Sequence, residues 1–228
     1  IRDVERSRGL GDVYKRQVLI GSLFFLNNWI LRSEISNALP KIFVKNRETN
    51  KEEEIKFTDE KIIDPSISFF QKDRDTDLIY LSYSSPKTQS RTYLYNLKSK
   101  ERNLVKEQEI PSGHNPDDYI VESLECTSHD GRKVPITLTR HKKTKVNGTA
   151  NVLLYGYGSY GINMDSGFRS SIVPLLNRGF IFAISQIRGG ADMGRFWYEE
   201  GRMMKKNNTL FDFIDSTKFL IENNIGQK

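Results

Sequence analysis

The chain has 228 residues, 37% hydrophobic and 28% charged, and its 35 Lys/Arg against 29 Asp/Glu give a formal charge of +6. Residues 1–17 hold five Lys/Arg and three Asp/Glu, so only +4 belongs to the rest, spread over the separate polar turns 51–54, 98–102 and 142–145, which excludes the basic stripe of a nucleic-acid binder. The longest apolar run, Val18 to Leu26, is half the roughly 18 residues a spanning helix needs, which excludes a membrane anchor.

Residues 1–17 (IRDVERSRGLGDVYKRQ) fit no structural period, and DVYKRQ matches a translated sequencing adaptor, so the segment is set aside as an assembly or expression scar. The chain opens on Ile1, has no methionine before Met164 and runs out at Gly226-Gln227-Lys228, a turn that would feed another strand. A piece of a longer protein is the expectation. Val18 to Leu26 (VLIGSLFFL) predicts a buried strand. From Trp29 to Gln108, short β-branched and aromatic runs predict strands at 29–34, 41–45, 54–57, 78–84, 92–97 and 103–106. Two segments, IFVKN-RETNK-EEEIKF and TYLYN-LKSKE-RNLV, read as one hairpin used twice. Repetition of a small antiparallel unit points to propeller blades over 18–108.

Residues 109–118 (EIPSGHNPDD) hold two prolines and a glycine and read as a linker. Beyond it, Tyr119 to Thr127 and Val134 to Arg140 predict a hairpin closed by His129-Asp130-Gly131. A strand over 151–157, a helix over 168–177 ended by Gly179, a strand over 180–187 and a helix from Thr209 to Ile225 follow. Strand and helix alternate here, which predicts a parallel sheet covered on both faces. In the last helix Leu210, Phe213, Ile214, Thr217, Leu220 and Ile221 form the expected buried stripe, with Thr209 and Asp212 as a capping pair.

Chemistry concentrates in two loops. VLLYGYGSYG (152–161) places three glycines and three tyrosines after an apolar strand, at the carboxyl end where α/β sheets hold their sites. Glycines admit a close backbone approach and tyrosines offer a phenolic donor, although a tight turn with core tyrosines would look the same. IRGGADMG (187–194) follows the next apolar strand, but its glycine spacing is no nucleotide fingerprint. The single cysteine, Cys126, excludes an intrachain disulfide and fits a reducing, cytoplasmic compartment.

Taken together, VLLYGYGSYG, LLNRGF and FAISQIRGGADMGRFWYEEGRMMKKNNTLFDFIDS resemble, in order and spacing, the opening of the catalytic domain of the prolyl oligopeptidase family. YGYGSYG and the WYEEG and KKNNT blocks are most similar to its oligopeptidase B branch, as are LSYSSP and PSGHNPDDYIVE upstream. The resemblance implies a mixed fold: the end of a β-propeller (18–108), a linker (109–118) and the first part of an α/β-hydrolase peptidase domain (119–228). It implies a serine oligopeptidase acting on short peptides, after Lys or Arg, with no cofactor, metal, nucleic acid or membrane partner. By motif position Tyr157 is implied as an oxyanion-hole donor and Tyr160 as a wall of the substrate pocket. Arg188, Gly189, Gly190 and Trp197 are implied as neighbours of the site, with Arg188 an ion-pair former and Ala191 and Asp192 departing from the usual glycine and glutamate. If the third loop position needs a positive φ, Ala191 is strained.

The nucleophile of such enzymes sits in a Gly-x-Ser-x-Gly elbow, and no serine of this chain does. Ser159 has Tyr157 two places before it. His114, His129 and His141 precede the first parallel strand, whereas in this fold the base follows the nucleophile, so they read as turn or surface residues. The catalytic Ser, Asp and His are expected beyond Lys228, leaving these 228 residues inactive alone. The alternatives are a non-catalytic β-rich binding module, and a piece of another α/β-hydrolase peptidase of acylaminoacyl or dipeptidyl type.

Overall fold

The computed structural model describes residues 18–56, 58–68 and 74–227. The adaptor-like segment 1–17, Phe57 and Lys228 lie outside the described residues. Three four-stranded sheets follow one another along the chain.

The first is an antiparallel meander of β1 (Val18–Phe25), β2 (Trp29–Ser36), β3 (Leu39–Asn46) and β4 (Glu52–Glu54), in that spatial order. The second repeats it with β5 (Asp64–Ser68), β6 (Leu78–Ser84), β7 (Arg91–Asn96) and β8 (Arg102–Glu107). Alternation puts every second side chain inward: Ile79, Leu81 and Tyr83 of β6 are buried while their neighbours are partly exposed. They share one core with Leu31 of β2 and Ile42 and Val44 of β3, so the two sheets pack face to face.

The repeated hairpin is physical as well as textual. Asn46 Oδ1 accepts the backbone N–H groups of Glu48 and Thr49 at 3.0 and 2.8 Å, and Asn96 Oδ1 accepts those of Lys98 and Ser99 at 2.9 Å each. Each turn closes with a 2.9 Å bond, Asn46 N–H to the Lys51 carbonyl and Asn96 N–H to the Glu101 carbonyl. Asn50 and Lys100 take the matching positive φ of 57° and 63°. An asparagine that mimics a backbone turn with its own side chain thus sets the corner twice.

Two expectations are corrected in these sheets. The run 18–26 is a strand but not a buried one: among the described residues β1 pairs only with β2, and Ile20, Leu23 and Phe25 are more than half exposed. Strand β5 (DPSIS), which is polar and contains Pro65, carries no apolar alternation and was not foreseen; β4 in turn sits two residues earlier than the predicted 54–57.

After a 3₁₀ turn at Pro116–Asp118, capped by Asn115, the third sheet has the order β11-β12-β10-β9. Its strands are β9 (Tyr119–Thr127), β10 (Lys133–His141), β11 (Val152–Tyr155) and β12 (Ile181–Ser185). Gly131, at φ 82°, turns the β9–β10 hairpin. Only β11 and β12 are parallel; β12 and β9 both run antiparallel to β10, so the sheet is mixed rather than wholly parallel. Every residue of β12 is buried because both faces are covered. Phe182 and Ile184 pack on Val173 and Leu176 of helix α1 (Val173–Asn177), while Ile181 and Ala183 pack in the core that holds Trp197 of α2 (Arg195–Glu199) and Leu220 of α3 (Lys206–Glu222).

Helix α1 is five residues long, not ten, and has Pro174 in its first turn, where a missing N–H costs nothing. Helix α3 begins three residues before the expected Thr209 and shows a different buried face. Thr209, Asp212, Ser216 and Leu220 are buried, whereas Leu210 and Ile214 of the expected stripe are about half exposed. Thr209 and Asp212 do not cap the helix. Tertiary partners claim both side chains, and a spacing of three puts them on one helix face as readily as in a capping box.

Candidate active site

Strand β11 ends at Tyr155 and delivers the chain into a loop in which Gly158 and Gly161 take a positive φ. Gly158 has φ 61°, and a Cβ there would stand 2.4 Å from Thr209 Cγ2 and 2.8 Å from the Arg188 carbonyl. The flanking tyrosines are not core residues: Tyr157 is 41% exposed and Tyr160 is 82% exposed. Tyr160 also has φ 56°, a left-handed conformation that costs a bulky residue about 1–2 kcal/mol. Strain of this kind collects where a site overrides local preference.

The second loop is the floor of the first. Gly161 N–H donates to the Gly189 carbonyl at 2.9 Å, and Gly189 N–H donates to the Trp197 carbonyl at 3.0 Å. Gly189 has φ 99°, and a Cβ there would lie 2.0 Å from the Gly158 carbonyl oxygen. A Cβ at Gly190 would meet Asp192 Oδ2 at 2.4 Å. Arg188 is wholly buried and contacts no open surface. Its Nε and Nη2 donate to the two Asp212 oxygens at 2.8 and 2.6 Å, and Nη1 reaches Asp130. Burial alone would lower the guanidinium pKa; the hydrogen bonds it donates to Asp212 and then Asp130 outweigh that and raise it. Trp197, 1% exposed, donates its indole N–H to the Gln186 carbonyl at 2.9 Å and lies 5.8 Å from the guanidinium.

Ala191 is not among the residues of positive φ, so the strain considered for it is absent. Its N–H donates to Asn163 Oδ1, and the buried Asp192 carboxylate accepts the Met164 N–H, both at 3.0 Å, tying the loop to residues 163–164. Burial pushes the Asp192 carboxyl up to about 6, the Met164 bond offsetting only part of the cost. The Asp192 carbonyl also accepts the Ala38 N–H at 2.9 Å, a direct link to the β2–β3 turn of the first sheet.

The arrangement at the head of β11 has recognisable kin. The model of the prolyl oligopeptidase family matches residues 166–228. The chain is 41% identical over 154 residues to dipeptidyl aminopeptidase BI of Pseudoxanthomonas mexicana, covering 67% of this chain and 21% of that one. It is 39% identical over 150 residues to protease 2 of Moraxella lacunata, covering 66% and 22%. Among solved structures, oligopeptidase B from Trypanosoma brucei superposes with a TM-score of 0.85 at 31% identity, over 92% of this chain and 31% of that one. Oligopeptidase B from Leishmania major gives 0.81 at 28% identity, over 92% and 30%. The chain belongs to the prolyl oligopeptidase family. It spans about a fifth of the length of the curated relatives it matches.

Within the prolyl oligopeptidase fold the two meanders are propeller blades and the mixed sheet is of the α/β-hydrolase domain. No Gly-x-Ser-x-Gly elbow occurs in the 228 residues. One cluster imitates a triad without being one. Ser128 Oγ lies 3.1 Å from His129 Nδ1, and that same nitrogen lies 3.8 Å from Asp215 Oδ2, so no second ring nitrogen relays a proton. Ser128, moreover, is buried and donates to Asp212 at 2.6 Å. His114 is more than a turn residue: its Nε2 lies 2.6 Å from the Lys87 carbonyl, and its ring packs on Tyr119 and Phe168. Among the described residues no group of three or more His, Cys, Asp and Glu is placed to hold a metal, and no helix is long and apolar enough to cross a membrane.

Sequence reasoning missed Lys206. Its Nζ donates to the Gly158 carbonyl at 2.5 Å and to Ser159 Oγ at 2.8 Å. The KKNNT block that contains it was singled out, but a contact spanning 47 residues leaves no local signal.

Proposed function

We propose that this chain is part of a serine oligopeptidase that hydrolyses short peptides after Lys or Arg, and that Tyr157 supplies one half of its oxyanion hole. The observation that carries the reading is the placement of Tyr157: a partly exposed phenol at the carboxyl end of a parallel strand, on a loop fixed from below by Gly189. As a serine hydroxyl adds to the scissile carbonyl, that oxygen gains negative charge, and a phenolic O–H aimed at it donates more strongly to the tetrahedral state than to the substrate. A backbone N–H beside the nucleophile would be the second donor. Tyr160, the most exposed of the loop tyrosines, suits a pocket wall.

Arg188, Gly189, Gly190 and Trp197 act beneath this surface, holding its shape rather than meeting substrate. The 228 residues hydrolyse nothing alone because they hold no nucleophile elbow. A single reduced, buried Cys126 suits a cytoplasmic setting. A second reading, removal of dipeptides from free N-termini, is favoured by the 41% identity to a protein named dipeptidyl aminopeptidase.

The test is made on the whole protein. Tyr157→Phe should lower kcat by about 100- to 1000-fold with KM little changed, as loss of one oxyanion donor does elsewhere. Equal activity of variant and wild type overturns the assignment. N-terminally blocked Lys or Arg anilides and free dipeptide anilides separate the two substrate readings: turnover of the first supports cleavage after basic residues, and turnover of the second alone overturns it.

A further inference from the structure

Helix α3 touches the tyrosine loop at two points of its first turn, and both lie against Gly158. Thr209, which donates to the Arg188 carbonyl at 2.7 Å and the Gly201 carbonyl at 3.1 Å, presents its methyl group where a Gly158 side chain would stand. Lys206, three residues earlier at the start of the helix, reaches over the loop to the Gly158 carbonyl and the Ser159 hydroxyl. The Gly158 carbonyl is therefore held between an ammonium at 2.5 Å on one side and Gly189 on the other, where not even a methyl group fits.

This lysine is unusual in its company. Among the described residues no carboxylate lies within ion-pair distance of it, although Lys205 beside it pairs with Glu200 at 2.6 Å. Burial holds the Lys206 ammonium below the ordinary lysine range. A partly buried cation whose acceptors are one carbonyl and one hydroxyl gains no charge pairing for its desolvation, so its contribution lies in the geometry it imposes.

We propose that Lys206 is a positioning residue for the candidate site: its ammonium fixes the Gly158–Ser159 peptide, and so holds Tyr157, one residue earlier, where its phenol meets the reacting carbonyl. The inference rests on the oxyanion reading of Tyr157 and deepens it. A lysine that merely stabilised the fold would affect melting and binding; a positioning lysine acts on turnover through Tyr157, and its effect vanishes when the phenol is gone.

The experiment is a double-mutant cycle in the whole protein, with Lys206→Met and Tyr157→Phe, read as kcat and KM on one peptide anilide, with a thermal melt of each variant. Lys206→Met alone should lower kcat about tenfold, the order expected for losing a charge-assisted hydrogen bond, with KM within about twofold. In the Tyr157→Phe background the same change should alter kcat by less than about twofold, because the two residues act as one unit. Ser159→Ala, which removes one of the two acceptors, should give a smaller loss with the same coupling, and it carries the test if Lys206→Met fails to fold. Unchanged kcat in Lys206→Met, a loss confined to KM, or effects that multiply independently of Tyr157 overturn the proposal while leaving the oxyanion reading intact. Full activity of Tyr157→Phe instead removes the oxyanion reading itself, and with it the role of Lys206.

Discussion

Replacing Arg188 by methionine should be among the most damaging single changes available to this chain. The guanidinium is inaccessible to solvent, and so is the carboxylate of Asp212 that takes two of its N–H groups. Removing the cation leaves Asp212 with the Ser128 hydroxyl at 2.6 Å and the Arg188 backbone N–H at 2.9 Å, but no opposite charge. Breaking a buried pair in this way costs about 3–5 kcal/mol, most of it the penalty of the stranded charge. Asp130, the second partner, is about one-third exposed and can rehydrate, so it adds little. With a urea m-value of about 2 kcal/mol per M, the midpoint should fall by roughly 2 M. Trp197, beside the guanidinium, reports the transition by fluorescence once Trp29 is replaced by phenylalanine. Arg188→Met combined with Asp212→Leu removes both charges and should recover a large part of the loss. A single variant within about 1 kcal/mol of wild type, or a double variant as costly as the two singles together, would refute the argument.

Asp192 gives a pH dependence of definite sign. Its carboxyl is held up at about 6 against an ordinary 3.8, so the neutral form is favoured in the folded state. That stability is complete below about pH 4 and is lost as pH rises through about 6, a difference on the order of 3 kcal/mol. Asp192→Asn should therefore raise the melting temperature at pH 8 and change it little at pH 3.5; parallel pH curves would show the carboxyl to be indifferent. Gly189→Ala, whose Cβ has no room beside the Gly158 carbonyl, should cost about 2 kcal/mol or more in a thermal melt. Gly113→Ala, at φ 76° but with nothing within 4 Å, isolates the backbone strain alone and should cost only about 1 kcal/mol. Equal losses at the two glycines would count against the close approach of the loops.

What the sequence announced and what it concealed divide along a physical line. The twin hairpins were legible because each is built by one asparagine and its next three residues, within reach of local pattern. The tyrosine loop was legible in the same way, as glycines at the end of an apolar strand. Strand β5 was not, since polar residues and a proline give no alternation to read. Helix α3 misled because its most apolar stripe is half exposed, and its buried face is chosen by Arg188, 24 residues upstream. The role of Lys206 depends on a loop that is distant in sequence and near only once the sheet has formed.

The polar face of α3 has a consequence for alignment. A helix that docks through leucines can rotate or slide by a fraction of a turn with small loss, since dispersion has little directional preference. One that docks through Thr209, Asp212 and Ser216 cannot, because each oxygen has a named partner: the Arg188 carbonyl, the Arg188 guanidinium, and Ser185 Oγ at 2.7 Å. These contacts work as the teeth of a key, admitting one azimuth and one depth. The first turn of the helix is thereby indexed to the head of β11, and a side chain carried on it arrives at a height set to within the tolerance of a hydrogen bond.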